Sequence, residues 1–406
     1  MTSVEVRPCR DSDEVVGAIG AIAEYGAWPF DREDAERWLR FHPLERMLAA
    51  LDDGRIVGGS GSFAFEMTVP GAMVPTAGVT VVGVLPTHRR RGVLTAMMRT
   101  QLDDVHEREE PLAALFASDE RIYGRFGYGL AQLMGEMQLP RERSGFARPL
   151  ERRGLIRTVD QDKALKLLPP VWEELRPRTP GMLSRSPEWW QLRVLRDQES
   201  WRPPGSGPKR FAVLELDGAV AGYAIYRHAP KWEEGTPQGS VNAIEVFATG
   251  PQAEAELWRY LCDIEWVAKI NARLLPVDHP LFFILAEPRQ MRLRVGDGIW
   301  VRLVDVGAAL SARSYAADEA VVFDVEDDFC PWNAGRWKLE DGAAERTQAA
   351  ADLACDVTAL GSVYLGGFTF DQLVRSGRVA ELRPGAAARA DEMFHTDRAP
   401  WCPEIF

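Results

Sequence analysis

Along its first 140 residues the chain changes hydrophobic period several times. VEVRP, at 4–8, alternates as a short strand and is followed by an Asp-Ser-Asp turn. Apolar residues then recur at helical spacing over 15–25, with an aspartate placed to cap the helix. RMLAALDDGRIVGGSGSFAFEMTV reads as two strands joined at Asp-Asp-Gly, a strong hairpin signal. In TAGVTVVGVLPTHRRRGVLTAMMRTQLDDVHER the first part is a fully apolar strand and the last part has the period of an amphipathic helix. The charged, proline-containing stretch 140–154 has the texture of a linker.

The same order then returns more faintly. LIRTVDQDKALKLL again gives strand, Asp-rich turn and helix. FAVLELDGAVAGYAIYR repeats the hairpin, and both hairpins carry D-G-x-x-x-G, from Asp53 to Gly58 and from Asp217 to Gly222. VNAIEVFATGPQAEAELWRYL repeats the apolar strand and its helix. The offsets are 150, 164 and 162, close enough to predict an internal duplication. From about residue 291 the texture changes to strand–helix, two further strands and a helix pair, which predicts a separate α+β domain of about a hundred residues.

Composition narrows the function classes. At 406 residues, 46% apolar and 27% charged, the chain has the balance of a soluble globular protein with two or three domains. No apolar run reaches the length of a membrane span, and the N-terminal residues lack a secretory core, so a cytoplasmic protein is expected. Five scattered cysteines and six dispersed histidines form no metal or disulfide pattern, so no metal is expected. A net charge of −12 disfavours nucleic acid. It suits a cationic substrate, although many soluble proteins are simply acidic.

The candidate chemistry lies at one loop. After the apolar strand come Arg89, Arg90, Arg91 and Gly92, and then a helix. The first N–H groups of a helix lack intrahelical partners and form an anion site that the macrodipole reinforces. Basic residues oppose that dipole, so three arginines there favour an anionic ligand, with pyrophosphate the natural one. A solvated basic turn is the plain alternative. Walker and G-x-G-x-x-G loops are absent. In the second copy the corresponding stretch is PQAEAEL, so the first loop should bind an anion and the second should not.

LPTHRRRGVLTAMM resembles the coenzyme A loop of GCN5-related N-acetyltransferases (GNAT), usually [QR]-x-x-G-x-[GA], with Leu94 in place of the final small residue. Together with VTVVGV before it and ALFASDERIYGRFGYG after it, the chain resembles the Enhanced intracellular survival (Eis) family over essentially its full length. The resemblance implies a mixed α/β (α+β) chain of two tandem GNAT-like domains and a sterol-carrier-protein-2-like α+β domain. Residues 1–148 would be catalytic, 149–290 a degenerate copy without a cofactor loop, and 291–406 the sterol-carrier-like part.

It further implies acetyl-CoA as co-substrate. Val82, Gly83 and Val84 would hold the acetyl thioester, Arg90, Arg91, Gly92, Val93, Leu94 and Thr95 would wrap the pyrophosphate, with Arg89 also binding the cofactor, and Ser118 and Asp119 would line the cofactor further along. Tyr123 would be the general acid, and the C-terminal carboxylate of Phe406 the general base. Trp38 is a candidate acceptor-pocket wall, with Trp28 nearby. Ile405 stands where aminoglycoside-acetylating members carry an acidic residue. The expected partner is a cationic amine small molecule, and the expected assembly a homo-oligomer, a hexamer by the resemblance. Protein-lysine acetylation and lipid binding by the third domain are the competing readings.

Within RIYGRFGYG, Ile122 and Tyr123 are expected to end a helix, and Gly124 and Gly127 to serve a cap and a turn that favour positive φ. Phe126 and Tyr128 are expected to pack, Tyr128 opening the next strand.

Overall fold

The computed structural model describes residues 4–26, 30–199 and 202–406; Trp28 lies outside them. The chain divides into two units. One contains Met1–Gln132, Ile299–Pro400 and Ile405–Phe406, the other Leu133–Gly298 and Trp401–Glu404.

In the first unit the predicted hairpin forms between Met47–Asp52 and Arg55–Val69. Its turn residues Asp53 and Gly54 have φ of 48° and 76°, the doubly left-handed turn that matches strand twist. The sheet runs Glu5–Pro8, Met47–Asp52, Arg55–Val69, Ala72–Val84, Leu112–Phe116, Ile299–Leu303, Gly129–Leu130. Its one parallel contact joins Ala72–Val84 to Leu112–Phe116, as helix Val93–Glu107 requires of its crossover. A Cβ on Gly58 would meet Val93 and Met97, whereas one on Gly59 would meet Ala18. Neighbouring strand residues face opposite ways, so helices Val93–Glu107 and Ser12–Gly26 cover opposite faces. Asp11 caps the latter by accepting from the Asp13 and Glu14 amides.

The second unit repeats this plan: Leu155–Val159, Lys209–Leu216, Ala219–Ala229, Ser240–Ala248, Lys269–Pro276, Leu133–Pro140, Arg294–Asp297. Its one parallel contact again joins the fourth and fifth strands, and its hairpin turn, Asp217 and Gly218, has φ of 51° and 83°. The sixth strand of each sheet comes from the other half of the chain. Leu133–Pro140, placed by sequence with the first domain, completes the second sheet. Ile299–Leu303, placed by sequence with the third, completes the first.

The helix that follows the second Asp-rich turn runs Gln161–Leu175, through Pro169 and Pro170. Burial of Leu168, Val171 and Trp172 on one side offsets the lost hydrogen bonds. The 140–154 stretch is partly anchored: Arg141 N–H donates to Ala268 O, and Phe146 bridges to Leu285.

Residues beyond 305 build a five-stranded sheet with Val321–Glu326 at its centre and helices Val357–Val363, Phe370–Arg375 and Ala386–Phe394 around it. Phe323, Phe370 and Phe394 form its aromatic core. No helix among the described residues is long and apolar enough to cross a membrane.

Candidate functional site

The two strands flanking the candidate loop part company early. Ala72–Val84 pairs with Leu112–Phe116 only from Thr76 to Gly78, and beyond Gly78 the two strands are no longer paired. On its other side Ala72–Val84 slips register against Arg55–Val69, gaining one residue between Thr80 and Gly83. The slip is a bulge with Val81 at φ 48°, a strained value for a β-branched residue. Pairing resumes at Gly59–Gly83, where a Cβ on Gly83 would collide with the backbone of Ile22. Glycine lets the helix and the bulged strand touch there.

Eight residues separate this strand from helix Val93–Glu107. Gly92 caps the helix at φ 84° with no side chain to bond the first-turn amides, and a Cβ there would point into open space. Arg90 is also left-handed, at φ 59°. Arg89, Arg90, Gly92 and Thr95 are exposed, Val93 is buried and Leu94 half-buried. Arg91 Nη2 donates to Asp52 Oδ2 at 2.8 Å, and His88 Nε2 lies 3.4 Å from the same oxygen. Asp52 thus pins the loop to the hairpin, a role the sequence reading missed; its place at the strand end opposite the loop was the available signal.

Val82, Leu94 and Tyr123 pack on one apolar cluster with Val79, Met98 and Leu115, so bulge, loop helix and tyrosine share a floor. Tyr123 ends helix Glu120–Tyr123 and is buried, which pushes its hydroxyl up to about 12. It stays protonated near neutrality and remains a donor. Asp119 caps that helix, accepting from Arg121 N–H; the Arg121 side chain bonded to it holds its carboxyl down at about 2. Ser118 is exposed beside it. Gly127 takes the left-handed turn at φ 86°, whereas Gly124, at φ −56°, is right-handed and starts a 3-10 turn. Phe126 and Tyr128 are buried, and strand Gly129–Leu130 begins directly after Tyr128.

The last residue belongs to this unit. Phe406 is 8% exposed, its ring 5.3 Å from Phe65, 5.8 Å from Phe116 and 6.4 Å from Phe63. A Cβ on Gly78 would lie 3.2 Å from that ring, so Phe406 rests on the sheet where the two strands begin to part. The alternation in SFAF was the signal for this seat, but nothing local named its occupant. Trp38 is half-buried against Phe41, His42 and Phe63, its indole N–H buried without a partner. Burial pushes the His42 imidazole down to about 4. Among the described residues no group of His, Cys, Asp and Glu is arranged to hold a metal.

A parted parallel strand pair, a bulge and an open helix N-terminus define a GCN5-related N-acetyltransferase. Residues 6–131 and 181–303 each match the family described as "Acetyltransferase (GNAT) domain", and residues 306–403 match "Sterol carrier protein domain". An uncharacterized N-acetyltransferase of Streptomyces avermitilis is 44% identical over 97% of this chain and 96% of its own. N-acetyltransferase Eis of Mycobacterium tuberculosis is 32% identical over 90% of each chain. The crystal structure of Eis1 from Mycobacterium abscessus superposes with a TM-score of 0.86 at 33% identity, covering 99% of this chain and all of that one. The chain belongs to the Eis family of N-acetyltransferases. Its fold implies acetyl-CoA as co-substrate.

Proposed function

We propose that the protein transfers acetyl from acetyl-CoA to a primary amine of a polycationic small molecule, aminoglycosides being the first class to test. The Arg89–Thr95 loop takes the pyrophosphate through first-turn amides and arginines. Val82 to Val84 face the thioester, and Ser118 and Asp119 line the cofactor beyond it. The terminal carboxylate of Phe406 takes a proton from the attacking neutral amine as its nitrogen bonds to the acyl carbon and the C–S bond breaks. Tyr123 then gives its proton to the leaving thiolate. General acid–base steps of this kind contribute about 10²–10⁴-fold each. Trp38 forms an acceptor wall, and the net charge of −12 draws a cationic amine.

The observation that carries the reading is the burial of Phe406 in the unit that holds the arginine loop and Tyr123. Chain ends are ordinarily frayed, and this one is seated among three aromatic rings. Thiol release from acetyl-CoA with kanamycin or tobramycin tests the substrate class. Turnover above the amine-free blank is expected, and none, with acetyl-CoA demonstrably bound, overturns it. A cytoplasmic homo-oligomer, a hexamer by resemblance, belongs to the same proposal, and light scattering on the purified chain reads its mass.

A further inference from the structure

The second sheet has a gap like that of the first, and it is filled. Ser240–Ala248 pairs with Lys269–Pro276 only from Ser240–Lys269 to Ala243–Ala272, and beyond that the strands part. Residues 401–404 of the chain's own tail lie there. Trp401 stacks on Phe247 of one strand at 5.1 Å and donates its indole N–H to the Leu274 carbonyl of the other at 2.5 Å. Its backbone N–H bonds Pro180 O at 2.7 Å, and a Cβ on Gly181, at φ 96°, would press on the Trp401 backbone. The space left among Ile244, Phe247, Leu274, His279, Trp401 and Pro403 is about 20 Å³, enough for one water.

Three residues on, Glu404 is buried at a charged socket. Arg185 Nε donates to Glu404 Oε2 at 3.0 Å, and the Trp189 indole N–H donates to Oε1. The rest of the Arg185 fork goes to Glu245, at 2.6 and 3.3 Å, and Tyr223 donates to Glu245 at 2.9 Å. The guanidinium lies 3.4 Å over the Trp172 ring, and its side chain is 1% exposed. This socket recognises an aromatic residue followed three positions later by a carboxylate.

We infer that the strand gap of the second copy has become a binding site for this chain's own segment Trp401–Glu404, making Arg185, Trp401 and Glu404 positioning residues for the terminal carboxylate. Fixing Glu404 leaves two residues, Ile405 and Phe406, to the chain's end, so the base has little freedom to stray. The inference rests on the reading of Phe406 as the base.

The test uses full-length protein with Glu404→Gln, Trp401→Ala and, as the milder change, Trp401→Phe. Carboxypeptidase A release of Phe406, followed by mass spectrometry, reports tail exposure independently of activity. Release at least about tenfold faster in Glu404→Gln and Trp401→Ala is expected, with Trp401→Phe between them and wild type. In the same variants kcat falls about tenfold while the KM for acetyl-CoA stays within about twofold, the split of a positioning defect rather than of a lost cofactor site. If Trp401→Ala does not fold, Trp401→Phe and Glu404→Gln decide alone. Unchanged release in both overturns the tail site. Faster release with unchanged kcat keeps the tail site but overturns its positioning role, while removal of Phe406 alone decides separately whether its carboxylate is the base.

Discussion

The two acetyltransferase-like copies share a strand order, a parallel pair that parts and a register slip, yet they differ at each place where a cofactor would be held. The first slip carries Val81 at φ 48° and resumes at Gly83. The second gains one residue at Ile244 and resumes at Glu245, whose carboxylate is taken by Arg185. The first copy spends eight residues, with three arginines, on the way to its helix. The second spends two, Thr249 and Gly250, and enters its helix at Pro251, which has no N–H to offer. In that helix's first turn stands the half-buried Glu254, pushed up to about 7 by burial. The four-residue helix ending in Tyr123 corresponds to Leu281–Ile284, ending in an isoleucine. One fold plan thus carries two different sets of loop and helix-end residues, because the sheet is set by strand patterning and those residues are not.

The sharpest break of this comparison is removal of Phe406 alone. On the proposed reading kcat falls by about 10²–10⁴-fold while acetyl-CoA binding by titration calorimetry stays near wild type; the melting temperature drops, because a buried aromatic ring is lost, but the chain stays folded. Activity within a few fold of wild type sinks the assignment of the base. Next comes Tyr123→Phe, which leaves the first copy's short helix, like that of the second, without a hydroxyl at its end. A fall in kcat of about 10–100-fold with unchanged KM is expected. Tyr128→Phe removes a hydroxyl that is buried without a partner, so rate should stay within about twofold and stability should not drop. The opposite ranking of the two variants would identify Tyr128 as the acid.

Much of this was legible because it is local. Asp53-Gly54 and Asp217-Gly218 announce two-residue turns by residue type, and the arginine–glycine run announces an open helix end. The exchanged strands Leu133–Pro140 and Ile299–Leu303 were not legible, since a strand's alternation says which face is buried and nothing about which sheet it joins. Glu404 was hidden for the same reason. A glutamate near a chain end reads as solvated, and the arginine that buries it lies 219 residues away.

The smallest contrast lies at the two helix caps. Gly92 sits at φ 84°, ψ −1°, where any L side chain costs about 1–2 kcal/mol. Its site is otherwise open, so Gly92→Ala meets no neighbour; the cost is conformational and falls on the loop shape that presents the amides. Acetyl-CoA affinity is therefore expected to weaken about tenfold, with the fold intact. Gly250 sits at φ −168°, ψ 169°, extended backbone that alanine adopts freely, and it too has open space for a Cβ. Gly250→Ala should leave acetyl-CoA affinity unchanged and cost stability less than about 1 kcal/mol, the price of a poorer N-cap. Calorimetric titration of both variants with acetyl-CoA separates them. Equal weakening would mean the second copy also binds the cofactor, and equal indifference would mean that pyrophosphate does not rest on the Gly92 turn.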